Sequence, residues 1–224
     1  MSDGFSGARI RRRFRSPLWR VLGSGASWLL FSFCFALLYI GSTVVMGLGG
    51  YCASGGPYVI ETECPDAVVA TLPLSIFGGL AAVAIGVFFT RGFGMPLVSW
   101  AWPVLFLGLG WAFLVSSLQP GGITFLIVGI LFVVMGAFPL VMELRASVRA
   151  LFLGTTNVAG VKFTPSGSDK TSFLQVGRWD TTESDETIAP TAGDWTLALG
   201  IAIVAIGLGV YFANQLYASF GGPS

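Results

Sequence analysis

Between Arg91 and Glu143 the chain carries no Asp, Glu, Lys or Arg, and most of the intervening residues are apolar. As one helix this run would reach about 75 Å, whereas the hydrocarbon core of a bilayer is about 30 Å thick. The run therefore has to fold back on itself. Gln119-Pro120-Gly121-Gly122 is the turn within it, because glycine and proline punctuate helices. This predicts membrane spans at Leu97 to Leu118 and Ile123 to Met142. The same criterion finds Gly25 to Leu48, Leu72 to Thr90 and Trp195 to Tyr217. Pro73 falls in the first turn of the second of these, where a missing N–H is harmless, and Arg91 closes it. Five spans, with 54% hydrophobic and 10% charged residues, make an all-α integral membrane protein.

The charges orient the spans. Six of the twelve basic residues (Arg9, Arg11, Arg12, Arg13, Arg15, Arg20) precede the first span. Arg91 follows the second, and Arg145, Arg149, Lys162, Lys170 and Arg178 lie between the fourth and fifth. Five alternating spans put all twelve on one side, so the positive-inside rule predicts a cytoplasmic amino terminus and an external carboxy terminus. The expected organisation is a basic tail (1–20), a four-helix membrane region (21–143) with an external loop (50–66), a cytoplasmic connector (144–193), a fifth helix (194–217) and an external tail (218–224).

The six arginines of the tail are expected to contact anionic lipid headgroups. Arg11-Arg12-Arg13-Phe14 resembles a twin-arginine export signal, but the uncharged run from Val21 to Ile60 far exceeds the apolar core of a signal peptide, about 7 to 15 residues. An uncleaved anchor is therefore expected. In the connector, Glu143 to Leu153 reads as an amphipathic continuation of the fourth span, Val158 to Thr164 and Ser172 to Val176 as short strands, and Thr181 to Gly193 as an acidic linker. Gly167-Ser168-Asp169-Lys170-Thr171 lacks the glycine and the spacing of a phosphate-binding loop.

Cys52 and Cys64 bound an acidic loop with no Lys or Arg, which the charge pattern places outside. An oxidising compartment and a short separation predict a disulfide, and Gly55-Gly56-Pro57 permits the reversal. The string Cys52-Ala53-Ser54-Gly55-Gly56-Pro57-Tyr58-Val59-Ile60, followed by Cys64-Pro65, resembles a loop of uncharacterised integral membrane proteins of actinobacteria. That resemblance implies a bacterial plasma-membrane setting.

No predicted span contains an ionisable residue, and such residues are what mark proton relays and voltage sensors inside membranes. Histidine is absent, which removes the commonest general base and metal ligand. No catalytic, cofactor or metal residues are assigned. Small residues do recur at helix-packing spacing: Gly78, Ala82 and Gly86; Gly108, Ala112 and Ser116; Ala205, Gly209 and Ala213. They are expected to bring the protein's own helices together, the alternative being that the last helix stands apart and docks another membrane protein. Trp19, Trp28, Trp100, Trp102, Trp195 and Tyr217 read as interfacial anchors, with Trp111 and Cys34 as packing residues.

These features lead to the expectation of a non-enzymatic accessory or scaffold subunit of a plasma-membrane complex, respiratory or envelope. Its partners would be anionic lipids and other integral membrane proteins, with no nucleic acid. The alternative is a channel or transporter subunit, with Pro139 breaking the fourth helix and Gly129 or Gly136 as flux-sensitive positions. An external carboxylate site of Glu61, Glu63 and Asp66 ranks third.

Overall fold

The computed structural model describes residues 17–53, 62–89, 95–119, 122–146 and 192–221. Five helices account for most of them: α1 (Pro17–Gly47), α2 (Asp66–Phe89), α3 (Leu97–Ser116), α4 (Ile123–Ala146) and α5 (Ala192–Ser219). All five are long and apolar enough to cross a membrane, and no strand is present among the described residues. The protein is an all-helical, multi-pass membrane protein. Five of the six tail arginines, the two strand-like runs, most of the acidic linker and the Gly167 to Thr171 stretch lie outside the described residues.

Helix ends differ from the sequence expectation for identifiable reasons. α1 starts at Pro17, inside the expected tail, since proline suits the first helical position. α2 starts at Asp66 rather than Leu72, with the N–H groups of Val68 and Val69 donating to the Pro65 carbonyl at 2.9 and 3.2 Å. An acid in the first turn complements the helix dipole, and Ala67 and Val68 gain burial there. Pro73 therefore lies beyond the first turn, where it withholds an N–H from the Val69 carbonyl. α4 runs on to Ala146 and α5 begins at Ala192, so both ends of the expected connector are helical.

Without a hydrophobic force between helices in lipid, association rests on close packing, and the close contacts define the arrangement. α1 is central. α2 runs antiparallel to it, with Gly41 against Leu72 and Gly78 against the Cys34 sulfur. α5 runs parallel to it, with Gly25 against Ile201, the Ser32 hydroxyl 3.4 Å from the Ala205 carbonyl, and Gly209 against Leu29 and Phe33. The expectation that α5 could stand apart is thus corrected: it packs along α1 over much of its length. α3 also runs parallel to α1, fixed by a hydrogen bond from Trp28 Nε1 to the Met95 carbonyl (3.0 Å) and by the Phe35 ring over Gly108. α4 lies outermost, antiparallel to α3 and packed almost entirely on it. The starts of α1, α3 and α5 share one face with the ends of α2 and α4. The opposite face carries Cys52 and Cys64, together with Ser117 to Gln119 and Gly122.

Candidate functional site

The best-defined structure outside the spans is the disulfide clip that joins α1 to α2. Its geometry begins at the end of α1, where the Leu48 N–H donates to the Val44 and Val45 carbonyls and the Gly49 N–H to Met46 at 3.1 Å. The Gly50 N–H returns to the Val45 carbonyl at 3.0 Å. Gly49 and Gly50 hold φ of +94° and +89°, a region that side-chain-bearing residues rarely occupy. This sharp exit lays Gly50 on the Phe125 ring of α4, so that a Cβ there would sit 3.2 Å from the ring edge. Tyr51 follows, 62% exposed.

Cys52 and Cys64 are joined, with their Cα atoms 5.0 Å apart. Inside the bridge the Ala53 N–H donates to the Thr62 carbonyl and the Cys64 N–H to the Ala53 carbonyl, both at 3.0 Å. Pro65 then feeds directly into α2. Glu63 and Asp66 are exposed, Glu61 lies outside the described residues, and no cluster of three metal-ligating side chains occurs among the described residues. Among its described residues the clip presents Tyr51, Ala53, Glu63 and Asp66 to solvent. Arg20 lies in α1 with its side chain outside the described residues, and Arg145 is exposed at the end of α4, on the face opposite the clip.

Within the membrane the small residues have specific neighbours. Gly78 faces Cys34, Ala82 is fully buried, and Gly86 meets the Leu97 Cβ. Gly108, Ala112 and Ser116 lie on the α1 side of α3 or are buried beside it, while Ala205, Gly209 and Ala213 are buried on α5. A further seam joins α3 to α4: Gly110 lies against the Val133 N–H and the Gly129 carbonyl, Gly129 against the Leu114 N–H, and Gly136 against the Leu107 N–H. Sequence reading missed it as a seam. Its signal was the seven-residue spacing of Gly129 and Gly136, which returns to one helix face after two turns. Gly108 and Gly110 are two residues apart and so point to opposite sides of α3, one towards α1 and one towards α4.

Ser27, Ser32, Thr43, Thr71 and Ser75 each donate to a carbonyl three or four residues back in their own helix, and Ser117, just past α3, to the Leu114 carbonyl, the usual outlet for such side chains in helices; Ser32 also reaches the Ala205 carbonyl of α5 at 3.4 Å. Three aromatic expectations need correction. Trp28 and Tyr217 are each 2% exposed and belong to the core rather than the interface; Trp28 is held inward by its bond to Met95, and Tyr217 by its packing with Ala36, Leu37 and Ala67. Trp111, expected to pack, is 62% exposed, on a flank of α3 between its two contact faces. The Tyr217 hydroxyl is buried without a hydrogen-bond partner among the described residues. Tyr217→Phe is therefore expected to leave stability unchanged or raise it by up to about 1 kcal/mol, read as the thermal midpoint in mild detergent.

No family model, no curated protein and no solved structure matches the chain.

Proposed function

We propose that the protein is a non-enzymatic accessory or scaffold subunit of a bacterial plasma-membrane complex, respiratory or envelope. It presents the disulfide clip outside the cell as a docking surface. The observation that carries this reading is the clip itself: Cys52 bridged to Cys64, an exposed Tyr51 beside the bridge, and an exit from α1 fixed by two left-handed glycines. Supporting it, Gly78, Gly86, Gly108 and Gly209 are used for packing between the protein's own helices, and Thr71 and Ser75 for local backbone bonds. Gly129 and Gly136, the positions a channel reading singles out, are filled by the α3 backbone, which favours packing over permeation. The external assignment of the clip rests on the positive-inside rule. The bacterial setting rests on the resemblance of the Cys52 to Ile60 string to the actinobacterial loop.

Solubilisation in a gentle detergent, followed by sizing and mass spectrometry, tests the proposal. The expected result is migration in a larger assembly that holds other integral membrane proteins, captured through a photo-crosslinker at Tyr51. Migration only as a free monomer, with no crosslink from position 51, would overturn it.

A further inference from the structure

Trp102 and Phe106 of α3 and Phe132, Met135 and Pro139 of α4 form an arrangement that packing alone does not require. Pro139 has no N–H to give to the Met135 carbonyl one turn back, so α4 is short of one backbone bond at that point. In lipid no water can replace the missing donor. The donor comes instead from the neighbouring helix: Trp102 Nε1 reaches the Met135 carbonyl at 3.2 Å. The Trp102 ring is fixed in turn by Phe106, with ring centroids 4.4 Å apart, and Phe106 by Phe132 of α4 at 5.3 Å.

The partner helix is weakened at the same depth. Gly136 against Leu107 sets the register, and one turn further along that antiparallel pair Pro103 of α3 falls opposite residue 140. Pro103 likewise withholds an N–H, from the Ser99 carbonyl. Each helix thus lacks one bond at one level, and proline and glycine are the usual sites of helix bending. On one side of that level, Gly136 is pinned to the Leu107 backbone. Beyond it, Phe138, Val141, Met142 and Leu144 are exposed while Ala137, Pro139 and Leu140 are half-buried, so a swing of the end of α4 disturbs little of the buried core.

We propose that Pro103 and Pro139 make the amino-face end of the α3–α4 hairpin a hinge, and that the Trp102 indole is the latch that holds it closed. Loss of the indole N–H leaves the Met135 carbonyl unpaired and favours the open position. Restoring an N–H at residue 139 removes the need for the latch.

Spin labels at Leu22→Cys on α1 and Leu144→Cys on α4, both exposed positions, report the motion as a distance distribution by pulsed electron paramagnetic resonance in phospholipid vesicles. The native cysteines do not interfere, since Cys52 and Cys64 are bridged and Cys34 is buried. Trp102→Phe is expected to raise the open-to-closed ratio roughly tenfold, the ratio corresponding to about 1.4 kcal/mol. Adding Pro139→Ala is expected to return the distribution to that of the parent. An unchanged distribution in Trp102→Phe, or failure of Pro139→Ala to reverse a change, would overturn the proposal. If Trp102→Phe cannot be recovered from membranes, recovery of the double variant supports the latch and loss of both refutes it.

Discussion

Gly209→Ala is expected to destabilise the protein by about 3 kcal/mol, the upper end of what overpacking costs, and to loosen α5 from α1. A Cβ at this position would collide with the Ser32 hydroxyl and lie 2.5 Å from the Leu29 carbonyl oxygen and 2.8 Å from the Phe33 nitrogen. Two of those three atoms are backbone and cannot rotate away. Relief requires the helices to separate, and separation also stretches the 3.4 Å approach of the Ser32 hydroxyl to the Ala205 carbonyl. The control sits two residues away. Gly207 is exposed, with nothing within 4 Å of an added Cβ, so Gly207→Ala is expected to be neutral or to stabilise by up to about 1 kcal/mol through helix propensity. Thermal midpoints of both variants in one mild detergent decide the matter. Equal shifts would show that the α1–α5 approach is not as close as described.

The contrast between Gly207 and Gly209 marks what can be read from the chain alone. The charge-free runs set the number of helices and their antiparallel alternation, because length and the cost of burying charge leave little freedom. Small-residue spacing pointed to Gly209, yet Gly200 and Gly207 recur with a similar period and have no neighbour within 4 Å. Period alone does not say which face meets a helix and which meets lipid, since both are apolar. The α3–α4 seam was hidden for the same reason: α3 carries small residues on two opposite sides, and only the pairing with α4 separates Gly110 from Gly108.

Aromatic positions were misread because a tryptophan near a span end satisfies its N–H equally well at the interface or on a partner carbonyl. The Met95 carbonyl lies 67 positions along the chain from Trp28, and no local pattern announces that bond. Pro139 was expected to break the fourth helix, yet α4 continues through it; its repair by Trp102 depends on a register set by tertiary contact. The disulfide of the clip, by contrast, was legible, predicted from the short separation of Cys52 and Cys64. Gly55-Gly56-Pro57 lies outside the described residues, and the packing of Gly50 on Phe125 was not foreseen.

That contact makes the clip more than a tie between neighbouring helices. Replacing both Cys52 and Cys64 with Ser is expected to cost roughly 3 kcal/mol, the loop-entropy value for a short closed segment such as this one, with its sequence separation of 12. The remaining backbone bonds at Ala53, Thr62 and Cys64 form a small bridge, which is marginal without further support. Freeing it also releases the segment that carries Gly50 onto α4. The double variant should melt at a lower temperature than the parent and be insensitive to a dithiol reductant. The parent, once reduced, should fall to the midpoint of the variant, because the reductant takes up the bridge as its own disulfide and leaves two thiols. In intact unreduced cells Cys52 and Cys64 should resist a membrane-impermeant thiol reagent and label after reduction, while buried Cys34 stays unlabelled in both conditions. Free labelling of both loop cysteines before reduction would show that the bridge does not form in the cell, and the clip would then lose its covalent closure and with it the basis for a docking role.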